Sequence, residues 1–107
     1  METAAPSTLP RRVVVTDVVC RDGFQDEARI IATEDKLALL AQLVRAGVQS
    51  IEATSFVHPK VVPQMADADL LIAQAPREGG VRYSALLPNR KGAERAAQHP
   101  RNAAASA

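Results

Sequence analysis

Aromatic side chains are almost missing from this sequence: they make up 3 % of its 107 residues, and tryptophan does not occur. A core built from such a chain has to be aliphatic, which excludes the aromatic-rich platforms used to stack bases. Cysteine occurs once, as Cys20. No intramolecular disulfide can form, and a cytoplasmic, reducing compartment is the expected setting. An excess of one charge is lacking too. Thirteen Lys and Arg against twelve Asp and Glu leave a formal charge of +1, too balanced for a nucleic-acid footprint or an anionic membrane surface. No run approaches the ~20 apolar residues of a membrane helix, and residues 1–10 lack the basic cluster and apolar block of a secretion signal. The expected partner is a small molecule, with neither nucleic acid nor membrane involved.

What is present is an alternation of short β-branched runs and longer stretches with helical spacing, beginning near Arg12. That order predicts an α/β fold of about three βα units around a parallel sheet. Val13 to Val19 is a nearly continuous apolar run, expected to be a strand buried on both faces. After a loop over 20–32, a helix is expected from Glu34 to Ala46. Thr33 can cap it, Glu34 and Asp35 suit its first turn, and Gly47 can close it. Leu37, Leu40, Ala41 and Val44 fall on one face of that helix. A second strand is expected over Val48 to Thr54 and a helix from Pro63 to about Ala75. The third strand is expected over Val81 to Leu87 and a short helix from near Lys91. Residues 1–11 are expected to be a flexible leader and 12–97 the folded unit. Residues 98–107, broken by Pro100, are expected to be a disordered tail or a weak alanine helix, with no fourth strand.

Three such units cannot close a barrel, which takes eight strands and about 250 residues. The expected fold is therefore a partial (β/α)8 barrel, an open sheet of marginal stability whose edges invite self-association.

The residues that bear on chemistry gather at the carboxyl ends of the first two strands, where α/β barrels collect their active sites. Arg21-Asp22-Gly23-Phe24-Gln25 follows the first strand and offers a cation, a carboxylate, a flexible glycine and an amide. Asp22 there either ligates a hard divalent cation or simply starts a turn. Glu52 lies inside an otherwise apolar second strand, where a carboxylate is costly unless paired, and Arg21 is its natural counter-charge. Strand alternation puts Glu52 and Thr54 on one face; the other reading is a Glu at a frayed strand edge. His58 and His99 are too far apart to form a ligand pair and are expected to face solvent. Cys20 has no base beside it and is expected to fill space. Lys60 and Lys91 are single loop charges that can meet a phosphate.

Taken together, Arg21-Asp22-Gly23-Phe24-Gln25, Ile51-Glu52-Ala53-Thr54-Ser55-Phe56-Val57 with Pro59-Lys60, Val62-Pro63-Gln64-Met65, and Leu87-Pro88-Asn89 with Lys91-Gly92 resemble the hydroxymethylglutaryl-CoA lyase family of metal-dependent TIM-barrel enzymes. The likeness runs from about Val13 to Ala97, and the apolar Phe24 favours the lyase branch over the related condensing enzymes. The resemblance implies that Asp22 ligates a divalent metal, Mg²⁺ or Mn²⁺, and that Arg21 stabilises an enolate oxygen. It also implies that Glu52 is an essential active-site acid and that Gln25 lines the substrate pocket. The implied reaction is a retro-Claisen cleavage of an acyl-CoA to acetyl-CoA and acetoacetate. Two departures stand out: Val19-Cys20 replaces the family's Gly-Pro, and Asp17 replaces its glutamate. The His-x-His pair, the asparagine and the cysteine loop that complete the family's site have no counterpart in these residues.

The chain is thus expected to be the amino-terminal portion of such a lyase, with an incomplete metal site and little or no activity alone. Its expected partners are an acyl-CoA, the missing carboxyl-terminal half, or further copies of itself. Two other readings remain open at this stage: a related lyase or condensing enzyme acting on another acyl-CoA or 2-oxo acid, and a non-catalytic oligomerising or partner-binding fragment.

Overall fold

The computed structural model describes residues 8–99 and 104–106; the expected leader thus lies largely outside the described residues. Strand β1 (Thr16–Asp17) leads to helix α1 (Thr33–Arg45) and strand β2 (Ser50–Ser55). Helix α2 (Ala68–Gln74), strand β3 (Arg82–Leu86), helix α3 (Arg90–Ala96) and strand β4 (Ala104–Ser106) follow. The sheet order is β1-β2-β3-β4, and every pairing is parallel. Each parallel step requires a crossover, and a helix lies in each of the three connections, the first two as the alternating pattern anticipates.

The core lies between the sheet and its helices. Ile51, Ala53, Tyr83 and Ala85 from the strands meet Leu40 of α1 and Ala68, Leu71 and Ile72 of α2, with Cys20 and Phe56 closing the cluster. The Tyr83 hydroxyl donates to the Pro76 carbonyl, so the one tyrosine is buried without an orphaned polar group. Burial is also the largest cause raising its pKa, to about 12. Gly47 ends the first helical unit at φ 95°, a left-handed position that residues with a Cβ avoid.

The first strand departs most from expectation. Only Thr16 and Asp17 pair, opposite Ser50 and Ile51, while Val13, Val14 and Val15 are 74, 82 and 76 % exposed. A parallel strand is buried on both faces only when neighbours and helices cover it, and β1 is the margin of the sheet. Two helix starts differ as well. Ala32, not Thr33, occupies the N-cap of α1, because the Thr33 hydroxyl donates to Asp67 Oδ2 at 2.6 Å. The helix expected from Pro63 is a separate single turn, Pro63–Met65, followed by α2. Asp67 at the N-cap of α2 makes no side-chain capping bond; its carboxylate is held by Thr33 and Lys36.

The third unit is capped by Asn89, whose Oδ1 accepts from the Gly92 N–H at 2.9 Å. Gly92 leaves no room for a side chain, since a Cβ would sit 2.6 Å from the Phe56 carbonyl oxygen. Gly92→Ala should therefore cost about 1–3 kcal/mol of stability through overpacking, seen as a lower urea midpoint, despite alanine's better helix propensity. A midpoint raised by that substitution would contradict the close approach.

Residues 98 and 99 continue the turn after α3, with His99 N–H donating to Ala96 O at 2.9 Å. His99 is drawn in, contrary to the expectation of a solvent-facing ring, because Asp69 Oδ1 lies 3.0 Å from its Nε2 and its ring stacks at 6.1 Å on Phe56. Arg95 completes this clasp between α2 and α3, donating through Nη2 to Asp69 Oδ2 at 2.8 Å. Of the tail expected to be disordered, residues 100–103 and 107 lie outside the described residues. Ala104–Ser106 pair in parallel with β3, at Ser84, Ala85 and Leu86. Small residues without a strand signal can take that place because a parallel ladder is made by main-chain groups.

The clasp carries a pH prediction. Burial pushes the Asp69 carboxyl up, but hydrogen bonds and charges from Arg95 and His99 outweigh it and leave the pKa below 3.8. A depressed carboxylate contributes stability above its unfolded pKa and loses it as pH falls through the folded value. The unfolding midpoint should thus drop below about pH 4, and Asp69→Asn should flatten that drop. An unchanged profile in the variant would exclude Asp69 as the source.

Candidate active site

The site begins with a single wide helical turn, Val19–Gly23. After Asp17 the chain reverses around the Val18 carbonyl, which accepts from Arg21 N at 3.1 Å, Asp22 N at 2.7 Å and Gly23 N at 3.3 Å. Asp17 itself helps to form the turn, its Oδ1 accepting from Val19 N at 3.0 Å. Such wide turns recur at functional sites because they re-aim a side chain. Here the turn buries Cys20 and sends Arg21 toward β2.

Arg21 Nε donates to Glu52 Oε1 at 2.7 Å, with side chains 20 and 13 % exposed. Its Nη1 reaches Gln25 Oε1 at 3.4 Å and lies 3.6 Å from Asp22 Oδ1. The structure therefore brings all four expected residues to one place, just past the carboxyl end of β1 and beside Glu52 within β2. They are not equivalent. Glu52 is drawn against the guanidinium, whereas Asp22 is 65 % exposed and turned to solvent.

The ladder between β2 and β3 shifts register between Glu52 and Thr54. Strict alternation fails across such an irregularity, so the expected common face of Glu52 and Thr54 is lost. Thr54 is fully buried, its hydroxyl directed to Met65 Sδ at 3.7 Å, while Glu52 pairs with Arg21.

Among the described residues no three His, Cys, Asp or Glu side chains are grouped to hold a metal ion. A hard divalent cation takes six or more oxygen ligands, and one solvent-facing carboxylate beside an arginine does not make that set. The residues present do not by themselves fit the cation.

Cys20 is no nucleophile here. Desolvation is the dominant cause that pushes its thiol up to about 11, against the lowering influence of Lys36, and the residue is fully buried. His58 is exposed, its Nδ1 accepting from Lys60 N at 3.0 Å. The reading of the sequence overlooked Lys36, which is 1 % exposed and bonds through Nζ to Asp67 Oδ1 at 2.8 Å and Gln64 O at 2.7 Å. A signal existed: Lys36 stands four residues before Leu40, on the stripe that packs inward.

An open groove of about 780 Å³ runs beside the site, lined by Val13, Val15, Val19, Asp22, Gly23 and Val48 among others. It continues the exposed edge of β1 and is mostly apolar.

No family model matches the chain. Individual relatives do. The hydroxymethylglutaryl-CoA lyase of Bacillus subtilis (strain 168) is 48 % identical over 87 residues, covering 81 % of this chain and 29 % of that protein. The human mitochondrial hydroxymethylglutaryl-CoA lyase is 43 % identical over 96 residues, covering 90 % of this chain and 30 % of its own length. Among solved structures, hydroxymethylglutaryl-CoA lyase from Pseudomonas aeruginosa superposes with a TM-score of 0.80 at 43 % identity, covering 86 % of this chain and 31 % of that one. A hydroxymethylglutaryl-CoA lyase from Acinetobacter baumannii, in complex with coenzyme A and 3-methylmalate, gives 0.77 at 38 % identity, covering 92 % and 31 %. The parallel sheet and its helices are thus a sector of an α/β barrel, and the chain spans about 30 % of the length of the relatives it matches.

Proposed function

We propose, because this chain belongs to the hydroxymethylglutaryl-CoA lyase family, that it supplies the opening βα units of a barrel that cleaves a carbon-carbon bond in an acyl-CoA. The carrying observation is the Arg21 to Glu52 bond of 2.7 Å, which joins the turn past the carboxyl end of β1 to strand β2. In a retro-Claisen cleavage a base takes the substrate's hydroxyl proton, the C–O bond becomes the ketone of acetoacetate as the carbon-carbon bond breaks, and the released electron pair forms the enolate of acetyl-CoA, which then takes up a proton. Negative charge then grows on the thioester oxygen. A guanidinium already fixed in place favours that charge over the neutral ground state, with little reorganisation.

Each nearby residue has a task in this reading. Glu52, the active-site acid, occupies Nε of Arg21 and so orients the guanidinium while balancing its charge. Gln25 holds Nη1 and lines the substrate pocket. Asp22 is the residue that would meet Mg²⁺ or Mn²⁺, and it would need further ligands from other strands of a barrel. The isolated chain is accordingly inactive. A cytoplasmic setting belongs to the same reading, supported by a lone, unpaired thiol and by bacterial relatives. Among the described residues, no helix is long and apolar enough to cross a membrane.

The unpaired margin of β1, with its three exposed valines, favours a second function beside the first: association with the rest of a lyase barrel, or with another copy of the chain. One experiment addresses both. The purified chain is assayed for acetoacetate release with Mg²⁺ or Mn²⁺, alone and after mixing with the remaining seven tenths of the Bacillus subtilis relative, while gel filtration follows association. Activity only in the mixture is the expected result. Turnover by the chain alone would refute the incomplete site, and a stable mixed complex without turnover would refute the catalytic reading.

A further inference from the structure

The loop from Gln25 to Ala32 connects the Arg21 turn to α1, and its residues 26–30 are exposed. Such a segment has little of its own to hold it in place: within it, Glu27 N donates to Phe24 O at 3.2 Å. Yet it carries Gln25, which touches Arg21, and it follows directly from the turn that aims the guanidinium. Something outside the loop has to restrain it if Arg21 is to keep one orientation.

That restraint is visible in a chain of contacts crossing from the second unit to the first. The Gln64 amide donates through Nε2 to the Glu27 carbonyl at 2.8 Å. This hydrogen bond reaches the main chain of the loop from the segment that follows β2. Gln64 is itself fixed from behind, its carbonyl accepting from the buried Lys36 Nζ at 2.7 Å. Lys36 is held by Asp67 Oδ1 at 2.8 Å, and Asp67 Oδ2 accepts from Thr33 at 2.6 Å. Thr33 and Lys36 belong to the first two turns of α1, where the same loop ends. The loop is therefore pinned at its start by Arg21 and Glu52, at its end by Thr33 and Lys36, and in its middle by Gln64.

We propose that Gln64 is a positioning residue for Arg21, clamping the loop after the first strand to the segment after the second, with the Lys36 and Asp67 ion pair as its anchor. The proposal rests on the reading of Arg21 as the group that meets the enolate, but its test does not require turnover. Gln64 contacts no reacting atom; it acts through the Glu27 carbonyl on the loop that carries Gln25.

The test uses the isotopically labelled full chain and the Arg21 Nε–H signal, which reports directly on the bond to Glu52. Gln64→Glu keeps the length of the side chain and removes the donor; Gln64→Met does the same without adding charge. Both variants should speed solvent exchange of the Arg21 Nε–H by at least about fivefold and raise amide exchange across 24–31. Their unfolding free energies from urea titration should stay within about 0.5 kcal/mol of the parent, as for a surface change. A residue with only a structural role would move the midpoint and leave the Arg21 signal in proportion to it. An Arg21 signal unchanged in both variants would overturn the proposal, even if acetoacetate release by the complemented barrel stood, and the proposal would survive failure of that assay.

Discussion

Arg21→Met in the complemented barrel should reduce kcat for acetoacetate release by about a hundred- to a thousandfold, with little change in KM. The reasoning is electrostatic. Methionine matches the aliphatic length of arginine but offers no donor to an oxygen that gains charge as the bond breaks, so the loss falls on the transition state rather than on substrate binding. Removing the cation also takes from the half-buried Glu52 the 2.7 Å bond it accepts from Arg21 Nε. A lost charge-assisted hydrogen bond costs stability, so the variant should also unfold at lower urea. Steady-state kinetics on the mixture separate the two effects, because a stability loss changes the amount of active complex while the missing donor changes turnover per complex. Retention of a normal rate by the variant would remove Arg21 from the reaction.

The largest stability effect should come from Lys36→Ala. The ammonium is 1 % exposed and sits between Asp67 Oδ1 and the Gln64 carbonyl. Deleting one member of a buried pair typically costs 3–5 kcal/mol because the other charge stays behind without compensation. Asp67 keeps 18 % exposure and its bond from Thr33, which places the expected loss near the lower bound, about 3 kcal/mol. A domain of this size holds only about 5–15 kcal/mol of stability, and an open sheet lies near the lower end, so the variant should keep only about 2 kcal/mol and unfold at much lower urea than the parent. The double variant Lys36→Met with Asp67→Leu should regain most of that loss, since two apolar groups replace two compensating charges. Urea titrations of the single and double variants provide the measurement. Equal destabilisation in both would mean that the pair is not coupled in the way its geometry indicates.

Much of this was legible before any coordinates. The helix ending at Gly47, the strands around Ile51 and Tyr83, and the parallel order all follow from local signals: capping residues, a stripe at helical spacing, and short β-branched runs. The pairing of Arg21 with Glu52 was legible for a different reason. A carboxylate inside an apolar strand demands a cation, and the nearest one expected at the same sheet end was Arg21. Three things were not legible. The shortness of β1 depends on what lies beside Val13 to Val15, and no local pattern records a neighbour. The register shift after Glu52 arises from how β2 meets β3, and it sends Thr54 to Met65. The burial of Lys36 reads as an error in an amphipathic stripe until Asp67 and Gln64, about thirty residues away, come into contact with it.

The order of residues alone established the α/β character and the aliphatic core, and it singled out Arg21, Asp22, Gln25 and Glu52 as candidates, because periodicity and turn chemistry act over a few residues. The three-dimensional fold decided which side chains meet. It drew Glu52 rather than Asp22 against the guanidinium, engaged His99 with Asp69, and tied two loops together through Gln64. Those outcomes depend on distances between segments far apart in the chain, which are set by strand register and helix docking rather than by any local preference.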